Sequence, residues 1–280
     1  MGFEMPDSII FPKPVVQNYT SREFMDVLDS YSVPKENYVL WFLGQNCFII
    51  KTPEQKIIVI DPYLTDFCAS GRTGEPVKKS RLLPVFIEPE DLQADMVLLT
   101  HSHCDHTDPW TIERYQYKDS TEFLAPFQSV PVLRKAGVPG KAITLMHPKQ
   151  EYLFFGTKIT GTFAEPTDGT DLNHMGYLLE FSNGKSYYNT GDTAQSDLLR
   201  NMRKKSIDCM SICINGGYHN LSHWEAAEVA GQIKPKTAVP CHFDMMPHNV
   251  QPPHMFAKSL DKHDPEIEYL EMEYTKPYLF

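Results

Sequence analysis

One short segment of the 280-residue chain restricts its fold more than any other, the sequence HSHCDH at residues 101–106. It directly follows the apolar run at residues 96–99, which is typical of a buried strand. Two histidines separated by one residue on a tight loop can bind one cation, while Asp105 and His106 turn towards a second. Zinc, manganese and iron all accept imidazole and carboxylate ligands, so the segment predicts a metal site at the end of a strand.

Three residues far along the chain complete the predicted site, and each stands beside a predicted strand: His174, Asp192 and His242. Gly191 permits the sharp turn that would aim the Asp192 carboxylate at two cations. Each of the three has an ordinary alternative role when taken alone, since Asp192, for example, could cap the helix that follows it. Their order along the chain and their positions at strand ends favour a shared metal site.

Short β patterns alternate with helical patterns from residue 38 onwards. Predicted strands cover residues 38–43, 47–51, 56–60, 96–100, 122–125, 158–163, 176–181, 186–189, 208–214 and 237–240. A predicted helix follows Pro109, and others cover residues 130–136, 196–204 and 222–233. This order predicts an α+β sandwich of two sheets between helical layers. Residues 1–37 are predicted to form an N-terminal extension with one helix from Ser21 to Tyr31, and residues 38–280 to form the main domain.

The motifs, in this order, resemble those of the metallo-β-lactamase superfamily: HxHxDH, a distant histidine before a strand, GDT at residues 191–193 and PCH at residues 240–242. The resemblance covers about residues 38–270 and implies a four-layer αββα sandwich with two metal ions. One ion would be bound by His101, His103 and His174, the other by Asp105, His106 and His242. Asp192 would bridge the two ions, and Asp61, at the end of the third predicted strand, would support the histidine loop.

Four further stretches resemble the L-ascorbate-6-phosphate lactonase group of this superfamily: GQNC at residues 44–47, YYNTGD at 187–192, INGG at 214–217, and HFDM at 242–245 followed by Asn249. This resemblance implies a hydrolase that opens a small lactone, such as a phosphorylated sugar lactone, and a homo-oligomeric assembly. The cofactors it implies are two divalent ions per chain, zinc or manganese, with iron also fitting the ligand set.

A mechanism follows from such a site. Two cations would lower the pKa of a bound water, and the resulting hydroxide would attack the carbonyl. Asp105, His106 and Asp192 are predicted to take part in catalysis, and His223 is predicted to protonate the leaving group. The predicted substrate contacts are Asn220, Asn249, Lys79 and Arg81. The two basic side chains among them would suit an anionic substrate.

The overall charge and the hydrophobic pattern exclude other classes of protein. A net charge of −10 disfavours nucleic-acid binding, which needs clustered lysine and arginine. The apolar runs are too short to span a membrane, and the first residues lack the pattern of a secretory signal, so a cytoplasmic location is expected. The six cysteines include no CxxC pair, and Cys104 and Cys241 are interpreted as ordinary thiols because neighbouring residues already supply the ligands.

Three alternatives remain open at this point. The same metal centre would support the hydrolysis of a small phosphodiester. A non-catalytic metal-binding module would be expected to have lost ligands, and all seven are present. A di-iron electron-transfer protein of this fold usually has a carboxylate in place of the second histidine, and His103 is intact.

Overall fold

The computed structural model describes residue 15, residues 17–71 and residues 80–280. Its strands are β1 (Val39–Phe42), β2 (Phe48–Lys51), β3 (Ile57–Ile60), β4 (Met96–Leu98), β5 (Glu122–Ala125), β6 (Ile143–Leu145), β7 (Glu151–Phe154), β8 (Thr157–Phe163), β9 (Met175–Glu180), β10 (Ser186–Asn189), β11 (Cys209–Cys213), β12 (Thr237–Cys241), β13 (Glu268–Tyr269) and β14 (Tyr278–Leu279). Its α-helices are α1 (Ser21–Ser30), α2 (Pro109–Arg114), α3 (Ser129–Lys135), α4 (His223–Ile233) and α5 (Pro253–His263). Among the described residues, no helix has the length and apolar character needed to cross a membrane.

The strands form two seven-stranded mixed sheets. The first sheet has the order β14-β1-β2-β3-β4-β5-β6, and the second has the order β13-β12-β11-β10-β9-β8-β7. Side chains alternate across the first sheet, as the strand repeat requires. Leu40 and Ile58 pack in the core that includes the second sheet, whereas Trp41 and Val59 pack in the core that includes α1, α2 and α3. Helices α4 and α5 cover the other face of the second sheet. The predicted four-layer αββα sandwich is confirmed.

Helix α1 shows how a local signal fixes one element. The Thr20 side chain accepts a hydrogen bond from the Glu23 backbone N–H, and the Glu23 carboxylate accepts one from the Thr20 backbone N–H. This reciprocal pair satisfies two amides that have no partner within a first helical turn. Phe24 and Leu28 are fully buried in the same core as the first sheet. Helix α1, which belongs to the segment predicted as an extension, therefore packs directly against the first sheet.

The structure differs from the prediction in several elements. The segment predicted as a helix over residues 196–204 is a 3-10 helix, Leu199–Lys204. Helix α5 was not predicted, although proline suits the first turn of a helix. The strands β6, β7, β13 and β14 were not predicted either.

The strand order places the predicted ligands at one edge of the sandwich. Strands β3 and β4 are parallel neighbours in the first sheet, and Asp61 and the HSHCDH segment follow their carboxyl ends. Strands β10, β11 and β12 are parallel neighbours in the second sheet, and Asp192 and His242 follow the ends of β10 and β12. Both sheets therefore direct loops to the same edge, where rigid strands hold loop side chains in place.

Candidate metal centre

All seven predicted ligands lie together at this edge. Their nitrogen and oxygen atoms fall into three groups whose members lie within 4.8 Å of one another. The groups are His101, His103 and His174; Asp105, His106 and His242; and His101, His106 and Asp192. The third group joins the first two, because it takes one histidine from each and adds Asp192. The first two groups are called the three-histidine group and the Asp105 group below.

The spacing of the side-chain atoms suits a metal ion. His242 Nε2 lies 3.4 Å from Asp105 Oδ2 and 3.2 Å from Asp192 Oδ2, and His106 Nε2 lies 3.4 Å from Asp192 Oδ1. A tetrahedral ion with bonds of about 2.0–2.2 Å to nitrogen and oxygen holds neighbouring ligand atoms roughly 3.3–3.6 Å apart. The observed separations match this spacing.

Buried atoms without hydrogen-bond partners point to the same conclusion. His106 Nε2, His174 Nε2 and Asp192 Oδ1 are buried and form no hydrogen bond, although His106 Nε2 and Asp192 Oδ1 lie 3.4 Å apart. A polar atom buried in this way costs roughly 1–3 kcal/mol unless something satisfies it. Divalent cations bound at the three-histidine group and at the Asp105 group would together satisfy these atoms, so the residues present fit metal ions.

In each ligand histidine, the ring nitrogen that does not face the proposed ion has a partner that orients the ring. His103 Nε2 lies 3.3 Å from Asp168 Oδ2 and 3.1 Å from Thr170 Oγ1, while its Nδ1 lies 3.0 Å from His101 Nε2. His174 Nδ1 lies 3.2 Å from the Asp192 carbonyl oxygen. Metal-binding histidines commonly use their second nitrogen in this way. No sequence pattern identified Asp168 or Thr170.

Asp61 performs the same task for His106. The Asp61 carboxylate is fully buried and lies 2.7 Å from His106 Nδ1. It also accepts hydrogen bonds from the Thr100 backbone N–H at 2.8 Å, the Thr100 hydroxyl at 2.5 Å and the Asn46 amide at 2.7 Å. Asp61 thus orients His106 so that Nε2 faces Asp105 and Asp192.

Charges in the site favour the ligand forms of the carboxylates. Burial raises the pKa of Asp192, but His242 and His106 outweigh burial and hold the pKa well below its usual value. Burial lowers the pKa of His242, but Asp192 and Asp105 outweigh burial and raise the pKa to about 9. The Asp192 carboxylate is therefore ionised at neutral pH. Its negative charge favours a positive charge beside it, which a bound cation would supply.

Gln45 is a site residue that the sequence did not single out. Its side-chain amide lies 2.6 Å from Asp105 Oδ2 and 2.9 Å from His242 Nε2, and its carbonyl oxygen accepts a hydrogen bond from the His242 backbone N–H at 2.6 Å. Its own backbone N–H donates to Asp244 at 2.9 Å. Gln45 therefore ties the β1–β2 turn to two members of the Asp105 group.

A cavity of about 370 Å³ opens beside the ligands. Asn220 and Asn249, which were predicted to contact substrate, both line it. Asn220 Nδ2 donates to Asp192 Oδ2 at 2.7 Å, and Asn249 Nδ2 lies 3.5 Å from His242 Nδ1. Both amides therefore restrain ligands as well as facing the cavity. Among the described residues, the cavity lining contains neither lysine nor arginine.

The structure places His223 and Arg81 away from the cavity. Neither is among the described residues that line the cavity. His223 begins α4, and its Nδ1 lies 2.9 Å from Ser259 Oγ of α5, because the first turn of α4 directs the ring towards the neighbouring helix. The Arg81 guanidinium donates instead to four backbone carbonyls, those of Tyr63, Thr65, Leu83 and Pro84. Lys79 lies outside the described residues.

Comparison with known proteins agrees with this geometry. The family model described as "Beta-lactamase superfamily domain" matches residues 39–242. A UPF0173 metal-dependent hydrolase of Polynucleobacter asymbioticus is 30% identical over 227 residues, which cover 75% of this chain and 75% of that protein. A UPF0173 metal-dependent hydrolase of Thermodesulfovibrio yellowstonii is 28% identical over 230 residues, covering 75% of this chain and 79% of that protein.

Solved structures share the fold at lower sequence identity. An isothiocyanate hydrolase from Delia radicum gut bacteria superposes with a TM-score of 0.70 at 18% identity, covering 86% of this chain and 98% of that chain. The metallo hydrolase Igni18 of Ignicoccus hospitalis superposes with a TM-score of 0.68 at 19% identity, covering 87% of this chain and 98% of that chain. From the matched family model and the curated relatives, the chain belongs to the beta-lactamase superfamily and, within it, to the UPF0173 metal-dependent hydrolase family.

Proposed function

We propose that the protein is a binuclear metal-dependent hydrolase that opens a small lactone or ester. One divalent ion, zinc or manganese, would be bound by the three-histidine group and a second by the Asp105 group, with Asp192 contacting both. The observation that carries the proposal is that Asp192 lies within ligand distance of both groups at the wall of a cavity.

The chain's own residues supply the remaining functions. When bound, the ions would polarise the carbonyl and lower the pKa of water. Asp105 lines the cavity, its side chain is 20% exposed, and Gln45 fixes its Oδ2. This position lets the Asp105 carboxylate accept a proton from the attacking water and return it to the leaving alkoxide, the task that sequence reasoning gave to His223. Asn220 holds Asp192 through Oδ2.

The cavity favours a small, hydroxyl-rich substrate. Its volume lies near the lower end of ligand pockets, which measure roughly 300–1,000 Å³. Ser102, Thr170, His248 and Asn249 contribute polar groups to its wall. These groups suit the hydroxyls of a sugar lactone. The described lining contains no lysine or arginine that could bind a phosphate group, and we propose Lys79 as this contact for a phosphorylated lactone.

Substrate profiling tests the proposal. Purified protein loaded with zinc or manganese would be assayed against sugar lactones, phosphorylated sugar lactones, aryl esters and bis-aryl phosphates. We expect turnover of at least one lactone or ester. Faster turnover of bis-aryl phosphates would favour the phosphodiesterase alternative, and absence of turnover with two bound ions would favour a binding module. Size-exclusion chromatography with light scattering would test the proposed homo-oligomer.

Asp192→Asn is the decisive variant. It removes a charge that both ligand groups share, so we expect loss of bound metal and of most turnover. Asp197→Asn is the matched control, because the Asp197 side chain is 82% exposed and lies outside the cavity lining. Near-normal turnover with two ions per chain in Asp192→Asn would contradict the bridging role.

A further inference from the structure

A second set of candidate ligands lies in the cavity wall next to the histidines. The set consists of Cys68, Cys104 and Asp105, whose sulfur and oxygen atoms all lie within 4.8 Å of one another. Cys68 lies in the 3-10 helix Phe67–Ala69, whereas Cys104 lies inside the HSHCDH segment. The fold therefore brings two thiols from separate loops to one carboxylate, and all three side chains line the cavity.

The two sulfurs differ from the other thiols of the chain in their surroundings. Burial raises the pKa of the Cys47 and Cys213 thiols to about 12, and neither lines the cavity. Cys68 and Cys104 instead line the cavity together with Asp105. A thiol that coordinates a cation loses its proton. Cys104 is partly exposed, so a cation from solution can reach the pair through the cavity.

We propose that Cys68, Cys104 and Asp105 form a third cation site, specific for thiophilic ions such as cadmium, zinc or copper(I). Thiolate ligands select soft cations, whereas the imidazole and carboxylate groups beside them also accept harder ions such as manganese. On binding, each thiol releases one proton to solvent and its sulfur bonds to the cation, without transfer of electrons. Asp105 is common to this site and to the Asp105 group, so two neighbouring cations compete for one carboxylate.

Cadmium is the probe of choice, because thiolate ligation produces an ultraviolet charge-transfer band that imidazole and carboxylate ligation does not. The full chain, kept reduced, would be titrated with cadmium while this band is recorded. We expect a band whose final amplitude corresponds to one thiolate-bound cadmium per chain and which is lost in both Cys68→Ser and Cys104→Ser. Cadmium bound by the histidine groups adds no band, so the result does not depend on the hydrolase activity.

Cys209→Ser is the matched control, because Cys209 is fully buried in β11 and lies outside the cavity lining. It is expected to keep the wild-type band. Circular dichroism would show whether each serine variant folds. X-ray absorption at the cadmium edge of the wild-type protein gives a readout that needs no variant, and two sulfur neighbours are expected. Absence of the band in reduced wild-type protein, equal bands in all variants, or a cadmium edge without sulfur would overturn the proposal.

Discussion

Replacing Asp61 tests whether one buried carboxylate holds the metal ligands in place. Asp61 is fully buried and receives hydrogen bonds from Asn46 and from two groups of Thr100, while its Oδ2 contacts the His106 ring. Asp61→Ala leaves these groups without a partner in a space that excludes water. Asp61→Asn keeps the volume and one carbonyl oxygen, but it removes the charge and turns an amide N–H group towards other donors.

The two substitutions are expected to differ in kind. Removing one member of a buried charged network costs about 3–5 kcal/mol. A folded domain is stable by only about 5–15 kcal/mol, so Asp61→Ala is expected to remove a large share of the free energy of unfolding. Asp61→Asn is expected to fold and to lose metal affinity, because groups that orient metal-binding histidines typically contribute about 10–100-fold. This factor corresponds to about 1.4–2.7 kcal/mol of binding free energy.

Calorimetric titration with zinc and manganese would measure the affinity, and urea unfolding of chelated protein would measure the stability. Asp197→Asn serves as the exposed control. In Asp61→Asn we expect weaker binding of the ion held by the Asp105 group, because His106 belongs to that group. The reasoning is refuted if Asp61→Asn binds both ions as tightly as the wild-type protein and unfolds at the same urea concentration.

Three further predictions concern the same edge of the sandwich. Gly191→Ala is expected to cost about 1–3 kcal/mol of stability in urea unfolding and to lower the metal content. The reason is that the Gly191 φ is +61° and the new Cβ would lie 2.6 Å from the Met175 carbonyl oxygen. Gly184→Ala is the control for backbone strain, because Gly184 is also at positive φ but its Cβ would meet open space. Gln45→Ala removes the hydrogen bond to Asp105 Oδ2. It is expected to weaken the affinity of the Asp105 group for its ion about 10–100-fold. An unchanged calorimetric isotherm would contradict this. Chelation is expected to lower the Tm by about 5–11 °C per ion present at 100 times its Kd, and differential scanning calorimetry that shows an unchanged Tm would contradict metal binding to the folded state.

The parts of the fold that could be predicted are those determined by residues close together along the chain. The capping pair of Thr20 and Glu23 fixes the start of α1 within one turn of chain. Short apolar runs bounded by turn residues located β1, β2 and β3, because buried central strands are apolar on both faces. Helix α5 carries a local signal that was not used, because Pro253 stands in its first turn, where proline is tolerated.

Site residues could be predicted where the residue type and its position at a strand end are typical of metal ligands. They could not be predicted where the role of a side chain depends on tertiary contacts. Histidine and aspartate at strand ends indicated the ligands. Arg81 looked like an anion contact, yet its donors are used by backbone carbonyls that only the folded loop brings together. Gln45 looked like an ordinary turn residue, and its role depends on His242, which is 197 residues away along the chain.

The polar groups between the two sheets explain how ligands from both sheets keep their spacing. HSHCDH comes from the first sheet and Asp192 from the second, so a slide of one sheet over the other would separate them. Asn46 Nδ2 donates to Asp61 at 2.7 Å, and Asn189 Nδ2 donates to Asn46 Oδ1 at 2.9 Å. Asn189 Oδ1 in turn accepts the Gly191 N–H at 2.8 Å, next to Asp192. These bonds have fixed lengths and directions, whereas apolar packing tolerates small shifts. The fully buried pair Asn46–Asn189 therefore sets the register between the sheets that the two ligand groups require.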